Sequence, residues 1–233
     1  MSNEFACMIP LSKDYDKIMD GNKTFSGFEK VSGKTLLERI VEKVGSLPEV
    51  SSVDLFTNIE KPFDLNVSTC KWSIKNRPPS INHDNVSVEE IIDSFLQSVD
   101  ADKFLYVSPR YQLLRRASIQ ACIDIVKNNR SQSAATIINN QCLSWYREKP
   151  LNFSFSTKTP LVSEIENVRI ETGGCYTFTR DHFEKHKRRV STETAFVEIF
   201  KWESLEILNP NDRNVVELLL DAGLDGPNDG FTN

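Results

Sequence analysis

The 233-residue chain is 39% hydrophobic and 26% charged, and its formal net charge is −5 at pH 7. Length and composition fit one α/β domain with a sizeable core, and the acidic balance argues against a nucleic-acid-binding protein. We expect no membrane span, because no apolar run approaches the roughly 18 residues that one needs. The five cysteines contain no CxxC pair, which argues against a zinc site or a disulfide framework and favours reduced thiols in a cytoplasmic protein.

The chain opens with a predicted strand, a loop and a helix. Ala6–Pro10 is a short apolar run typical of a buried strand, and apolar residues recur at helical spacing over Leu36–Val44. The polar segment between them carries Lys13 and Lys23, and its length is typical of a functional or disordered loop. Such a unit can place a loop at the carboxyl edge of a parallel sheet, where α/β proteins bind ligands.

The middle of the chain alternates predicted strands and helices. The expected elements are strands at Ser51–Thr57, Cys70–Ile74, Phe104–Val107 and Ser133–Ile138, a helix opened by the capping box Ser87–Glu90, and a helix over about Ala117–Lys127. This alternation, which lasts to about residue 140, indicates a largely parallel sheet.

The pattern changes in the last third of the chain. Trp145–Glu166 has few helical signals and is interpreted as an inserted β-rich flap. Further strands are expected at Arg169–Glu171, Cys175–Phe178, Thr194–Ile199 and Ser204–Ile207, followed by a helix capped by Asn211. We therefore expect a single domain over residues 1–233 with a mixed sheet, a flap at about 143–168 and a frayed tail at about 222–233.

Short motifs stand at the ends of these predicted elements. They are Ile9-Pro10, Gly33-Lys34, Thr57-Asn58, Arg77-Pro78, Ser87, Ser108-Pro109, Glu171-Thr172-Gly173-Gly174-Cys175-Tyr176 and Glu203-Ser204-Leu205-Glu206-Ile207. In this order they resemble the acylneuraminate (CMP-sialic acid) cytidylyltransferases and their sugar-acid relatives, of which the chain would be a divergent member. The resemblance implies a three-layer α/β fold with a mixed, mostly parallel sheet of the nucleotide-diphospho-sugar transferase type and a small β-rich flap.

The resemblance also implies an activity. A protein of this kind is a transferase that couples CTP to a sialic-acid-like (nonulosonic or related) sugar acid, releases pyrophosphate, uses Mg²⁺ and forms a homodimer through its flap. We expect the apolar Trp145–Phe155 region to make the dimer contact, because aromatic residues are enriched at interfaces. Attack of a sugar hydroxyl on the α-phosphate builds negative charge, which positioned cations must stabilise.

Resemblance and residue chemistry together single out ten candidate site residues. Lys13 and Lys23 are the catalytic candidates, Ser12, Asn22, Arg77, Ser87 and Ser108 the nucleotide-binding ones, Arg169 and Glu171 the substrate-binding ones, and Glu206 the metal ligand. Plainer interpretations stay open. The lysines fit a solvated loop, Arg77 fits a surface turn, and Ser87 is explained by helix capping alone. The pair Arg169 and Glu171 fits an ion pair at the flap base, and the basic run Lys185–Arg189 fits a solvated helix end.

The sequence also departs from the family pattern. The family arginine is missing after Pro10, and Leu208 stands at the second position of the family's metal-binding Asp-x-Asp. One carboxylate, Glu206, rarely holds Mg²⁺ without phosphate oxygens. These departures favour a second hypothesis, a catalytically degenerate member that binds a nucleotide or sugar or acts as a partner protein. A third hypothesis is a nucleotidyltransferase with an altered substrate and metal arrangement; the sequence leaves the sugar acid and the base preference open.

Overall fold

The computed structural model describes residues 4–11, 18–20, 23–25, 30–31, 33–59, 65–81 and 85–224. A seven-stranded mixed sheet forms the centre of this part of the molecule. The strands in chain order are β1 (Phe5–Leu11), β2 (Ile18–Asp20), β3 (Lys23–Phe25), β4 (Lys30–Val31), β5 (Lys34–Thr35), β6 (Val50–Thr57), β7 (Trp72–Asn76), β8 (Lys103–Val107), β9 (Ser133–Asn140), β10 (Trp145–Tyr146), β11 (Lys149–Pro150), β12 (Val168–Thr179) and β13 (Ala195–Glu198). The helices are α1 (Leu36–Gly45), α2 (Val88–Gln97), α3 (Arg116–Lys127), α4 (Arg180–His186) and α5 (Pro210–Asp221).

The order of strands in the main sheet is β13-β9-β12-β8-β1-β6-β7. β1 pairs in parallel with β6 and β8, and the pairs β6–β7 and β9–β13 are also parallel. β12 is antiparallel to both of its neighbours, β8 and β9. The mostly parallel mixed sheet expected from the sequence is therefore confirmed, and the carboxyl ends of its parallel strands share one edge.

Helices cover both faces of the sheet, which gives three layers. α1 and α3 pack their apolar stripes on the face that carries Cys7, Leu105 and Cys175. α2 and α4 cover the opposite face, where Phe95 and Phe183 join a chain of aromatic contacts. Capping boxes open α1 at Thr35 and α2 at Ser87, as the sequence predicted for α2.

Two sequence predictions near the carboxyl end of the chain are wrong. Ser204–Ile207 is not a strand, because a 3₁₀ turn over Lys201–Ser204 sets the backbone there and the buried Glu203 carboxylate accepts the Phe200 N–H at 3.1 Å. The last helix is capped by Asn209 rather than Asn211. Its side chain accepts hydrogen bonds from two backbone N–H groups, and Pro210 occupies the first helical position.

The expected flap contains the hairpin β10–β11 and a 3₁₀ turn at Val162–Glu164. The two residues of the hairpin turn, Arg147 and Glu148, have φ of 47° and 62°, as a two-residue turn with positive φ at both positions requires. All five cysteines are free thiols, and three of them are buried as expected: Cys7, Cys122 and Cys175. Within the described ranges, no helix is long and apolar enough to cross a membrane.

Candidate functional site

The carboxyl edge of the sheet brings together residues from β6, β7, β8 and β12. Arg77 follows β7, and its backbone N–H donates to the carbonyl of Thr57 at the end of β6, at 2.7 Å. Ser108 follows β8, and its N–H donates to the carbonyl of Gly174 at 3.0 Å. The sequence predicted Arg77 and Ser108 as site residues, and the parallel strands place both at the same edge.

Arg77 is a buried cation at this edge, with 7% of its surface exposed. Its Nε donates to the carbonyl of Phe56 at 3.2 Å, and its guanidinium lies 5.8 Å from the Phe56 ring centroid. Burial lowers the pKa of Arg77, but a guanidinium of this kind still carries its charge at neutral pH. Among the described residues, no carboxylate forms an ion pair with Arg77. A buried positive charge without a counterion is suited to binding an anion.

A tyrosine and a carboxylate meet beside Ser108. Tyr111 donates its hydroxyl to Glu206 Oε2 at 3.0 Å, and Arg110 Nη1 lies 3.9 Å from Glu206 Oε1. Burial and the neighbouring Glu206 raise the pKa of Tyr111, so this phenol remains a donor. The ring packs on Gly174, where a Cβ atom would lie 3.1 Å from Tyr111 Cγ. Gly174, which belongs to the predicted motif Glu171–Tyr176, thus allows the Tyr111 ring to approach β12.

Glu206 is the predicted ligand for magnesium. In the described part of the chain, no three His, Cys, Asp or Glu side chains are grouped to hold a metal ion. Leu208 is 52% exposed, and its backbone N–H donates to Asp212 Oδ2 at 2.9 Å. Glu206 alone therefore fits a Mg²⁺ ion only if phosphate oxygens supply most of the other ligands, which is how Mg²⁺ commonly binds with nucleotides.

A second group of side chains surrounds Tyr176 on β12. The hydroxyl of Tyr176 donates to Glu171 Oε1 at 2.6 Å, and the guanidinium of Arg189 lies 4.4 Å from the Tyr176 ring centroid. Arg189 Nη1 donates to Glu89 Oε1 at 2.6 Å, and its Nη2 lies 3.8 Å from Glu171 Oε1. Glu171 was predicted as a site residue from its motif, whereas Arg189 and Glu89 were not.

Tyr106 connects the two groups. Its ring lies 5.6 Å from that of Tyr176, edge to face. Burial raises the pKa of Tyr106, the charges of Arg189 and Arg77 lower it, and those of Glu89 and Glu206 raise it further. Tyr106 is the register partner of Tyr176 across the β8–β12 pair and lies two residues before Ser108, so the two groups adjoin on neighbouring strands and are described as one candidate site. The sequence feature that could have identified Tyr106 as a site residue is its position near the end of a buried strand, two residues before Ser108.

The other predicted residues lie at the start of α2, on β12, on β3 or outside the described residues. Ser87 caps α2, and its hydroxyl donates to Glu90 Oε2 at 2.7 Å, so its nucleotide-binding role stays a prediction. Arg169 is exposed on β12, two positions before Glu171 and so on the same side of the strand. Ser12, Lys13 and Asn22 lie outside the described residues, and Lys23 belongs to β3 of a two-stranded hairpin.

The basic run at the end of α4, Lys185–Arg189, divides into two kinds of residue. Lys185, Lys187 and Arg188 are exposed, as a solvated helix end predicts. For Arg189 that interpretation is wrong, because its side chain is largely buried against Tyr176 and Glu89. No local pattern separates Arg189 from its neighbours, since Glu89 lies 100 positions away in the chain.

The order and directions of the strands match the nucleotide-diphospho-sugar transferase fold of solved structures. No protein-family model matches the sequence, and no curated protein matches it either. A solved CMP:2-keto-3-deoxy-manno-octonic acid synthetase complexed with CTP has a TM-score of 0.61 at 12% identity, over 94% of this chain and 99% of that one.

Two further solved structures have the same fold. One is 4-diphosphocytidyl-2C-methyl-D-erythritol synthase from Anaerococcus prevotii DSM 20548, with a TM-score of 0.61 at 11% identity, over 94% of this chain and 97% of that one. The other is a 4-diphosphocytidyl-2C-methyl-D-erythritol synthase with a TM-score of 0.62 at 13% identity, over 95% of this chain and all of that one (100%). At these identities the likeness is one of fold.

Proposed function

We propose that this protein is a cytidylyltransferase that transfers CMP from CTP to a hydroxyl group of a sugar acceptor and releases pyrophosphate. The observation that carries the proposal is the buried cation Arg77, which lies at the same carboxyl edge of the sheet as Ser108. The fold adds support, because the solved structures that share it include a synthetase bound to CTP and two diphosphocytidyl-methylerythritol synthases.

The nucleotide would bind at the edge formed by β1, β6, β7 and β8. In this proposal Arg77 stabilises the anionic nucleotide, and the Ser108 hydroxyl offers a hydrogen bond. Ser12 and Lys13 directly follow β1, so the segment with Lys13, Asn22 and Lys23 would supply point charges and donors to the phosphates. These donors would stabilise the negative charge that develops on the phosphate oxygens during transfer.

The acceptor would bind at the β12 end of the site. Glu171 is positioned to accept hydrogen bonds from sugar hydroxyls, because its side chain is 39% exposed and Tyr176 anchors one oxygen. Arg169 lies on the same side of β12 and would pair with a carboxylate. We therefore propose a sialic-acid-like (nonulosonic or related) sugar acid as the acceptor.

Magnesium is proposed as the cofactor, with Glu206 Oε1 as its protein ligand and phosphate oxygens of CTP as the others. A bound Mg²⁺ ion would neutralise charge on the triphosphate. Tyr111 and Arg110 would hold the Glu206 carboxylate in orientation through the contacts at 3.0 and 3.9 Å.

The exposed leucine at position 208 favours a second candidate function. A degenerate family member would bind a nucleotide or sugar, or a partner protein, without catalysis. The variant Leu208→Asp adds a carboxylate two residues from Glu206 and separates the candidates. A large gain in Mg²⁺-dependent turnover would favour the degenerate member, whereas an active parent protein that loses turnover in Glu206→Ala would favour the enzyme.

Calorimetric titration with CTP, with and without Mg²⁺ and with ATP as the control nucleotide, tests the proposal. Micromolar CTP binding that strengthens with Mg²⁺ is the expected result. A screen of sugar acids for pyrophosphate release would follow. If neither nucleotide binds, the proposed enzymatic function and a nucleotide-binding function are both contradicted. The candidate that then remains is a protein that acts through a partner protein.

A further inference from the structure

Arg189 is a largely buried cation that contacts three side chains of the site. We propose that Arg189 is a positioning residue, which holds the carboxylate of Glu171 in the orientation that receives the acceptor. This inference rests on the proposed function and deepens it, because it assigns the part of the site that recognises acceptor hydroxyl groups.

The contacts of Arg189 hold it on three sides. Its guanidinium lies over the Tyr176 ring at 4.4 Å, donates to Glu89 at 2.6 Å and faces Glu171 at 3.8 Å. Glu89 is in the first turn of α2, and Glu171 is on β12, so Arg189 joins two elements that are far apart in the sequence. A planar guanidinium can stack and donate in two directions at once, which a lysine ammonium cannot do.

The local charge argues that Arg189 acts through Glu171 rather than on an anionic ligand. Two carboxylates, Glu89 and Glu171, face one guanidinium, so the group as a whole is negative. An anion placed directly against Arg189 would be repelled by this pair of carboxylates, so the carboxylate of the proposed acceptor would bind elsewhere, at Arg169. The positive charge of Arg189 therefore balances the carboxylates of the protein rather than a bound anion.

Glu171 is left with one oxygen for a ligand. Oε1 accepts the Tyr176 hydroxyl at 2.6 Å and faces Arg189, and within the described part of the chain Oε2 has no hydrogen-bond partner. Burial and Glu171 raise the pKa of Tyr176, so the phenol stays protonated as a donor. An anchored carboxylate with one accessible oxygen is a fixed acceptor for a ligand O–H group.

The hydrogen bonding of Arg189 also favours a role in orientation. Its Nε atom is buried, and no acceptor for it is found among the described residues. A buried donor without a partner costs free energy. The side chain is thus placed for its contacts with Glu171, Glu89 and Tyr176 at the expense of one hydrogen bond.

The test compares Arg189→Gln and Arg189→Lys with Lys185→Gln, an exposed cation on α4. The probes are CTP with sialic acid and CTP with 2-keto-3-deoxy-manno-octonic acid, each of which offers a hydroxyl group as the acceptor, and the assay is pyrophosphate release. We expect Arg189→Gln to raise the acceptor KM roughly 10- to 100-fold, because a misplaced contact group costs about this much. The Kd for CTP, measured by calorimetry, and the kinetics of Lys185→Gln should stay near the parent values. Arg189→Lys should restore only part of the effect.

A double variant separates positioning from a general structural role. If Arg189 acts through Glu171, then Glu171→Gln should add little to the acceptor KM once Arg189→Gln is present, since the effects of substitutions within one network are not additive.

Additive effects of the two substitutions on the acceptor KM would overturn the proposal, as would equal losses of CTP and acceptor affinity in Arg189→Gln. An unchanged acceptor KM in Arg189→Gln would overturn it and leave the proposed function standing. Failure of the parent protein to bind CTP would instead overturn the proposed function itself.

Discussion

At the scale of single residues, Arg77 is a charged group that the described part of the chain holds in the site without an ion pair. Arg77 is buried beside Tyr106, and no carboxylate in the described residues is paired with it. Removing a cation from water without an ion pair is unfavourable, so the fold carries this residue at a cost. Such a cost is common where a residue is retained for binding.

The variant Arg77→Met should separate binding from stability. Methionine keeps much of the side-chain length and removes the charge, so we expect the free energy of unfolding to change by less than about 1 kcal/mol. CTP affinity should fall roughly tenfold to a hundredfold, because a hydrogen bond to a charged group contributes about 1.5–3 kcal/mol. Calorimetry and urea denaturation measure the two quantities. Lys71→Met, at an exposed position before β7, is the control, and a loss of stability without a loss of affinity in Arg77→Met would contradict a binding role.

Motifs identified some of the cluster from the sequence but not all of it. Arg77, Ser108, Glu171 and Glu206 were predicted, because each stands in a short motif at the end of a predicted element. Tyr106, Glu89 and Arg189 were missed. Their roles depend on pairings across the sheet and over 100 positions of sequence, and local spacing carries no information on such pairings.

At the scale of elements, the turn before α5 is held to α3 by one buried carboxylate. Glu203 accepts hydrogen bonds from the backbone N–H of Arg115 at 2.9 Å, from the Arg115 Nε at 3.0 Å and from the Ser118 hydroxyl at 2.6 Å. These contacts connect the start of α3 with the 3₁₀ turn over Lys201–Ser204. They also fix the chain that leads to Glu206 in the candidate site.

Glu203→Ala should destabilise the protein by about 3–5 kcal/mol, since it removes the acceptor of the partly buried Arg115 side chain and of three further donors: the Arg115 and Phe200 N–H groups and the Ser118 hydroxyl. Glu206→Ala is the matched control three residues later. It loses a single hydrogen bond from Tyr111, which contributes about 1 kcal/mol. Urea denaturation of both variants measures the difference, and similar losses in the two would contradict the central role of Glu203.

Helix α4 gives the fold a dependence on pH. His182 is buried, and burial together with the neighbouring His186 lowers its pKa below the ordinary value of 6.5. The unfolded chain therefore binds a proton at a higher pH than the folded one. The contribution of neutral His182 to stability is fully present above the pKa that this residue has in the unfolded chain. It is lost as the pH falls through the lower pKa that His182 has in the folded protein.

We expect the melting temperature to fall as pH decreases from about 7.5 to about 5, and to fall less in His182→Gln, which has no imidazole to titrate at this position. Thermal unfolding of both proteins at matched ionic strength measures this. Parallel curves for the two proteins would show that His182 is not the titrating group.

Element types were more predictable than element order. The Ser87 capping box and the apolar runs of β1 and β8 identify their elements locally, because burial and capping act over a few residues. The Ser204–Ile207 segment was predicted as a strand, but the distant Arg115 and Ser118 hold its turn. The place of β12 between β8 and β9 depends on long-range pairing and was beyond prediction from local pattern.

At the scale of the whole molecule, the flap presents an aromatic surface. The rings of Trp145, Phe153 and Phe155 lie 5.2–5.6 Å from one another, and Phe155 is 75% exposed. Exposed aromatic groups of this kind mark interaction surfaces. The homodimer expected from the family resemblance would bury this cluster.

Sedimentation at micromolar concentration should show a dimer for the parent protein and a monomer for Phe155→Glu, because a charge in an apolar contact must be desolvated. Leu218→Glu is the control. Leu218 is also a strongly exposed apolar residue, but it lies on α5 and should leave the dimer intact. A parent protein that sediments as a monomer would contradict the prediction.

The position of β12 also sets an order of events during synthesis. Both of its neighbours in the sheet, β8 and β9, leave the ribosome before it does, and β9 has no partner in the main sheet until residues 168–179 follow. The strands β1, β6, β7 and β8 can pair earlier. The contact of Ser108 with Gly174 therefore forms only when this late strand inserts. A nascent chain stopped at Ile165 should protect the amides of β1 from hydrogen exchange and leave those of β9 unprotected.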